Sequence, residues 1–122
     1  MARILLADDD VTSRDLVVRA LEMDAHHVEA VSNGTDALAR LAQGAEAFDL
    51  LISDVQMPGL DGIELARKVA ALLPDLPILL MSGFVVEEEA MKSTGARIAG
   101  LISKPFTLEE IRTRVTKLPV AG

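Results

Sequence analysis

Residues 50–62 have the sequence Leu-Leu-Ile-Ser-Asp-Val-Gln-Met-Pro-Gly-Leu-Asp-Gly. The apolar run stops at Asp54, and Pro58, Gly59 and Gly62 follow soon after it. This pattern predicts a buried β-strand that delivers one carboxylate to a loop. Asp54 is therefore the first candidate for a functional residue.

Apolar runs of strand length alternate with stretches of helical periodicity along the chain. The predicted strands are 4–7, 28–31, 50–53, 78–81 and 101–103, and the predicted helices are 12–23, 34–42, 61–73, 86–93 and 107–117. In the third helix, Ile63, Ala66, Ala70 and Leu73 form the predicted buried stripe. Five such repeats predict an α/β fold, with a parallel sheet covered by helices on both faces.

Four of the five predicted strands are followed by acids, a hydroxyl or a lysine, and the second strand ends in Ser32-Asn33-Gly34, which fits a turn and a helix cap. Right-handed crossovers place all the carboxyl ends of a parallel sheet at one edge, where ligands bind in this fold class. The residues expected at that edge are Asp8, Asp9 and Asp10, then Asp54, then Ser82 and Gly83, then Lys104 and Pro105.

Carboxylates gathered in this way repel one another. At an effective dielectric of about 20, each pair about 4 Å apart costs about 4 kcal/mol. Lys104 offsets part of the charge, and a Mg²⁺ ion held by carboxylates, a backbone carbonyl and water would offset more. With both cations in place, one carboxylate can attack a phosphoryl group, while Ser82 bonds a phosphoryl oxygen and Gly83 leaves space for it.

Each of these residues also has a simpler interpretation. Asp10 and Asp61 fit ordinary helix caps, Lys104 alone fits a surface lysine, and Ser82 with its glycine fits a turn. The combination of acids, hydroxyl and lysine on separate strand ends of one edge favours a site.

Composition limits the function further. The chain has 122 residues, the length of one domain, and no cysteine. A net charge of -7, scattered basic residues and only three aromatic residues, all Phe, argue against nucleic-acid binding. No apolar run is long enough for a membrane span and the N-terminus does not resemble a secretory signal, so we expect a cytoplasmic protein with no membrane partner.

In its motifs the chain resembles the receiver domain of two-component response regulators. The matching segments are Ile-Leu-Leu-Ala-Asp-Asp-Asp, Asp-Leu-Leu-Ile-Ser-Asp-Val-Gln-Met-Pro-Gly-Leu-Asp-Gly-Ile-Glu-Leu, Leu-Leu-Met-Ser-Gly and Ser-Lys-Pro-Phe. The resemblance implies a doubly wound, flavodoxin-like sheet of five parallel strands in the order 2-1-3-4-5 with five flanking helices. The predicted receiver domain is 1–118, and 119–122 is a short tail.

The same resemblance implies roles for particular residues. Asp54 would accept a phosphoryl group, Ser82 would be the switch hydroxyl, and Lys104 would pair with the phosphate and precede a cis bond to Pro105. The implied Mg²⁺ ligands are Asp8, Asp9, Asp54 and the backbone carbonyl of Gln56.

Partners follow from the family as well. The resemblance implies a histidine kinase or histidine phosphotransfer protein as phosphoryl donor, and a downstream protein that binds the surface of helix 4, strand 5 and helix 5. The expected chain is a monomer or weak homodimer and a stand-alone signalling receiver rather than an enzyme. It is similar to chemotaxis regulators, to phosphorelay intermediates and, in several short segments, to single-domain adaptors of a Clp-type protease.

Two departures from the family pattern concern the switch. Leu101 occupies the position where the family commonly has a switching Tyr or Phe, and Gly95-Ala96 lies earlier than usual before strand five, which indicates a short fourth helix. Phe84 is the one nearby aromatic residue that could substitute for the switching aromatic, but we favour the alternative that it packs as an ordinary core residue.

A different class of protein also fits part of the sequence. Asp8-Asp9-Asp10-Val11-Thr12 resembles the first motif of haloacid-dehalogenase-type phosphatases, with Asp8 as nucleophile and Asp10 as acid/base. That alternative lacks the metal-binding acids expected after Lys104 and leaves Asp54 without a role. An FMN-binding flavodoxin is less favoured, because three acids would repel the cofactor phosphate.

Overall fold

The computed structural model describes residues 1–44 and 47–118, in which five strands alternate with five helices. The elements in chain order are β1 (Arg3–Ala7), α1 (Val11–Met23), β2 (His27–Val31), α2 (Gly34–Gln43), β3 (Leu50–Asp54), α3 (Gly62–Leu72), β4 (Pro77–Ser82), α4 (Glu88–Lys92), β5 (Arg97–Ser103) and α5 (Leu108–Thr116). No helix within the described ranges is long and apolar enough to cross a membrane. The predicted tail, 119–122, lies outside the described residues.

All the strands pair in parallel in the order β2-β1-β3-β4-β5, which confirms the predicted fold and strand order. The order reverses between β1 and β3, so the carboxyl ends of these two strands lie side by side at the switch point. The register pairs Ala7 with Ser53, so the residues that follow β1 emerge beside Asp54.

Helices cover both faces of the sheet and create two apolar cores. One core packs α1 and α5 against the sheet through Val17, Ala20, Leu21, Ile111 and Val115. The other packs α2 and α3 against the opposite face, where Ala37, Leu41, Leu65, Ala66 and Val69 are buried. Because β3 is covered on both faces, every residue from Leu50 to Asp54 is buried, as expected for a central parallel strand.

The buried stripe of α3 differs from the sequence prediction. The helix buries Gly62, Leu65, Ala66 and Val69, so Ala66 alone of the predicted stripe is fully buried. The cause lies at the start of the helix, where a Cβ on Gly62 would overlap the carbonyl oxygen of Asp54. This close approach fixes Gly62 on the inner face, and residues three, four and seven positions later follow it there.

The predictions for α4 and β5 also need correction. Helix α4 spans only Glu88–Lys92, which confirms the expected short helix but not its predicted start at residue 86. Strand β5 begins at Arg97 instead of Leu101, and its pairing with β4 skips Ala99 at a bulge. The longer, bulged strand accommodates the early Gly95-Ala96 turn. The strand begins with Arg97, and Ala99-Gly100 separate Ile98 from Leu101, so the larger apolar residues indicated only the end of this strand.

Candidate functional site

The carboxyl ends of four strands meet at one edge of the sheet. Pairing continues one residue beyond the strands: the Val55 N–H donates to the Met81 carbonyl at 2.8 Å, and the Lys104 N–H donates to the Ser82 carbonyl at 2.7 Å. Asp8 follows β1 directly, and its N–H donates to the Val31 carbonyl of β2 at 3.2 Å. Backbone hydrogen bonds therefore fix the positions of the candidate residues independently of their side-chain contacts.

The Asp54 carboxylate lies at the centre of this edge, and its side chain is 8% exposed. Its Oδ1 accepts the N–H of Gln56 at 3.0 Å, and its Oδ2 accepts a hydrogen bond from Lys104 Nζ at 2.7 Å. Each oxygen of a carboxylate has two lone pairs, so each keeps one for a further ligand. The carboxylate is thus held in one orientation while it remains able to bind a cation or attack an electrophile.

Lys104 is shared between two acids. Its Nζ also lies 3.2 Å from Asp8 Oδ2. Burial favours the neutral amine, but the hydrogen bond to Asp54 and the charges of Asp8 and Asp54 outweigh it and raise the pKa of Lys104. The ammonium is therefore charged at neutral pH.

Asp8 is the most buried acid of the site, with no exposed surface. Burial raises the pKa of its carboxyl, although the hydrogen bond from the Asp10 N–H and the proximity of Lys104 act in the opposite direction. The Asp10 N–H donates to Asp8 Oδ1 at 3.0 Å, which orients the carboxylate toward the other acids.

A metal ion fits this group of acids. Asp8, Asp9 and Asp54 each offer an oxygen, and the three oxygens lie within 4.8 Å of one another. Asp9 is exposed, so one side of the group is open to solvent. The ammonium of Lys104 contacts two of these three carboxylates, Asp8 and Asp54, and the excess of negative charge on hard oxygen ligands suits Mg²⁺. A receiver-type acid cluster is thus present in the described residues.

The simpler interpretation holds for the other two acids near the site. Asp10 caps α1, with its Oδ1 accepting the Thr12 N–H at 3.0 Å, and Asp61 caps α3 by accepting the Glu64 N–H at 2.9 Å. In the phosphatase alternative Asp10 would be the acid/base, yet its side chain is engaged at the helix start. The structure gives that alternative no support.

Ser82 reaches the edge, but its hydroxyl bonds elsewhere. It donates to the Phe84 carbonyl at 2.9 Å and accepts the Phe84 N–H at 3.1 Å. The expectation that Phe84 packs in the core is wrong, because the residue is 46% exposed. The tight turn made by these two hydrogen bonds leads the chain off the end of the sheet, so Phe84 never enters either apolar core.

Phe84 instead borders an open groove beside the acids. The groove has a volume of about 520 Å³ and is lined by Asp9, Val55, Gln56, Met57, Pro58, Asp61 and Phe84. The lining includes the two residues that follow Asp54, so the groove lies beside the acid cluster.

Sequence reasoning missed two residues that support the site. An Arg14 guanidinium N–H donates to the Asp8 carbonyl at 3.0 Å, which ties the first turn of α1 to the end of β1. Gly62 permits α3 to start against the Asp54 backbone. The position of Arg14, one turn into the helix that follows the acids, was a sequence signal for its role. The role of Gly62 is visible only in the fold. The predicted Lys104-Pro105 cis bond is confirmed.

Comparison with known proteins finds similarity to response regulators along nearly the whole chain. The family model described as "Response regulator receiver domain" matches residues 4–116. The response regulator receiver protein CpdR of Brucella abortus is 41% identical over 122 residues, which cover 100% of both chains. The response regulator MprA of Mycobacterium tuberculosis is 37% identical over 95% of this chain, which spans 50% of that longer protein.

Solved structures agree as well. The chemotaxis protein CheY4 of Vibrio cholerae superimposes with a TM-score of 0.87 at 30% identity, over 97% of this chain and 98% of that one. The response regulator TrrA of Thermotoga maritima, solved in complex with Mg²⁺ and a beryllium fluoride, gives a TM-score of 0.83 at 29% identity over 96% and 98% of the two chains. The family model covers nearly the whole chain, and the protein therefore belongs to the response regulator receiver domain family.

Proposed function

We propose that this protein is a cytoplasmic, phosphorylation-controlled signalling receiver in which Asp54 accepts a phosphoryl group from a histidine kinase or histidine phosphotransfer protein. The observation that carries the proposal is the setting of the Asp54 carboxylate. Gln56 N–H and Lys104 Nζ hold its two oxygens, and Asp8 and Asp9 offer further oxygens within 4.8 Å.

In the transfer, a carboxylate oxygen of Asp54 forms a bond to phosphorus while the bond from phosphorus to the donor's histidine nitrogen breaks. The nitrogen keeps the electron pair of that bond. Lys104, which now contacts both Asp8 and Asp54, is close enough to pair with an oxygen of the transferred group. Ser82 would donate to another phosphoryl oxygen once its hydroxyl leaves the Phe84 carbonyl.

The proposed metal ligands are Asp8, Asp9, Asp54 and the backbone carbonyl of Gln56. When bound there, Mg²⁺ supplies positive charge that stabilises the phosphoryl oxygens and relieves the repulsion among the acids. The chain itself orients Asp54 through Gln56 N–H, positions Lys104 through the backbone bond to Ser82, and leaves the open groove for the donor.

The proposed output is a protein-protein interaction on the face of α4, β5 and α5, without catalysis beyond the protein's own phosphorylation and dephosphorylation. A groove of about 330 Å³ lies between α4 and β5, lined by Glu88, Met91, Lys92, Ala96, Ile98, Gly100 and Leu101. The mostly apolar lining and the net charge of -7 favour a protein partner over a nucleic acid. A role as an adaptor for a Clp-type protease is one specific form of this output, and it stays a prediction. The expectation that the protein is a monomer or a weak homodimer also stays a prediction.

The experiment is phosphorylation in vitro. The protein is incubated with Mg²⁺ and a small-molecule phosphodonor, and the acyl phosphate is located by mass spectrometry. We expect the label on Asp54 in the wild type and none in Asp54→Asn. Asp10→Asn is the matched control, because asparagine caps a helix as well as aspartate does, so this variant should still be labelled. Label retained in Asp54→Asn and mapped to Asp8 would overturn the proposal and favour the phosphatase.

A further inference from the structure

The Ser82 hydroxyl has two competing partners. In the structure Ser82 is buried, and its hydroxyl donates its proton to the Phe84 carbonyl at 2.9 Å. A hydroxyl has one proton to donate. It therefore cannot donate to the Phe84 carbonyl and to a phosphoryl oxygen on Asp54 at the same time. Any bond it makes to the phosphoryl group releases the Phe84 carbonyl.

Residues 83–85, which include Phe84, are exposed and otherwise weakly held, whereas the next residue, Val86, packs against the core beneath α2 and α3. A Cβ on Gly83 would meet nothing within 4 Å, and α4 begins only at Glu88 with no side-chain cap from Glu87. Among the residues that the structure describes, the two bonds between Ser82 and the Phe84 backbone are thus the main polar anchor of residues 83–85. Loss of one of them leaves the loop free to adopt another arrangement at small cost.

Phe84 is also the aromatic residue that would bury the most additional surface if it moved. Of the three aromatic residues in the chain, Phe48 and Phe106 are 7% and 8% exposed, whereas Phe84 is 46% exposed at the border of the groove beside Asp54. Leu101, at the strand-five position, is half-buried and has its carbonyl bonded by Arg114 at 3.1 Å. An exposed phenyl ring beside a partly apolar groove gains free energy by entering it.

We propose that Phe84 is the aromatic side chain that responds to phosphorylation in this protein, and that the Ser82 hydroxyl links it to the phosphoryl group. When Ser82 turns toward the phosphoryl group, the loop is released and the Phe84 ring moves over the groove toward Met57 and Pro58. The movement takes the place of an aromatic switch at Leu101. This inference rests on the proposed phosphorylation of Asp54.

The test uses the absence of Trp and Tyr from the chain. Phe84→Trp introduces a single fluorophore, and Mg²⁺ with beryllofluoride, a phosphoryl mimic, is the probe. We expect the emission to shift to shorter wavelength as the ring loses water contact. Leu101→Trp is the matched control and should show no such shift. A shift in Leu101→Trp and none in Phe84→Trp would overturn the proposal.

The link through Ser82 is tested in the same background. The shift should disappear in Phe84→Trp with Ser82→Ala and persist with Ser82→Thr, which keeps the hydroxyl, when both are compared at equal beryllofluoride occupancy. Persistence in the alanine variant would overturn the link. If Phe84→Trp does not fold by circular dichroism, ¹⁹F NMR of wild-type protein labelled with fluorophenylalanine replaces it, with the Phe84 resonance assigned from Phe84→Leu. In that spectrum a change on adding Mg²⁺ and beryllofluoride supports the proposal, and an unchanged resonance rejects it.

Phosphorylation is measured separately, by the acyl phosphate on Asp54. An acyl phosphate without a response from position 84 rejects this inference and leaves the proposed function intact. The absence of any acyl phosphate on Asp54 overturns both.

Discussion

The charge arrangement at the sheet edge makes a quantitative prediction for Lys104→Met. The substitution keeps most of the side chain's length and removes the ammonium that lies 2.7 Å from Asp54 and 3.2 Å from Asp8. At an effective dielectric of about 20, these two contacts correspond to about 6 and 5 kcal/mol of attraction. Part of this is offset because the variant no longer buries an ammonium, which costs several kcal/mol.

The net expectation is a loss of about 3–5 kcal/mol of unfolding free energy at pH 7 without Mg²⁺, because two buried carboxylates remain without their cation. Two conditions should reduce the loss. Acidification should reduce it, because Asp8 already has a raised pKa and loses the opposing effect of Lys104, so it is neutralised at a higher pH. Mg²⁺ should also reduce it by replacing the missing positive charge; at 100 times its Kd, binding stabilises by about 2.7 kcal/mol.

The assay is urea unfolding followed by far-ultraviolet circular dichroism, since the chain has no Trp or Tyr for fluorescence. Lys68→Met, on the exposed face of α3, is the control and should stay within about 0.5 kcal/mol of the wild type. A loss below about 1 kcal/mol for Lys104→Met at pH 7 would refute the reasoning, given the costs expected for buried pairs. A loss that responds to neither pH nor Mg²⁺ would refute it as well.

Three further predictions concern the packing, the pH dependence and the groove. Gly62→Ala should destabilise the protein by about 1–3 kcal/mol through its overlap with the Asp54 carbonyl, whereas Gly83→Ala, which faces open space, should change the urea midpoint little. Hydrogen bonds from Arg112 lower the pKa of Asp24. The pair therefore stabilises the folded protein fully at pH values above the usual pKa of 3.8, and this stabilisation is lost as the pH falls through the lowered pKa. Asp24→Asn should therefore lower the thermal midpoint at pH 7 more than at pH values below that range, and an equal effect at both would contradict the assignment. Gln56→Ala should open the groove to water and shorten the acyl-phosphate lifetime several-fold; an unchanged dephosphorylation rate would exclude this role.

Much of the site could be predicted from the sequence because strand ends are set by local pattern. Asp8 and Asp54 each follow an apolar run of strand length, and the rule that parallel strands share one edge brings them together. Asp10 and Asp61 could be predicted as caps for the same reason, since a cap depends on the residue type and the next few backbone amides.

Other features depended on contacts between distant segments. The rotation of α3 follows from the approach of Gly62 to the Asp54 backbone, which no periodicity encodes. The exposure of Phe84 follows from two hydrogen bonds to Ser82, and the bulge at Ala99 follows from the pairing of β5 with β4. In each case two arrangements satisfy the local pattern, and packing against another element selects between them.

By itself, the sequence determined the fold class, the strand order through its family resemblance, and the acids, hydroxyl and lysine of one sheet edge. These properties depend on hydrophobic periodicity and on residue types at strand ends, which are local. Only the tertiary structure decided that Lys104 bridges Asp8 and Asp54, and that the Ser82 hydroxyl binds the Phe84 backbone. Hydrogen bonds between residues up to 96 positions apart depend on how the strands align, and the fold as a whole fixes that alignment.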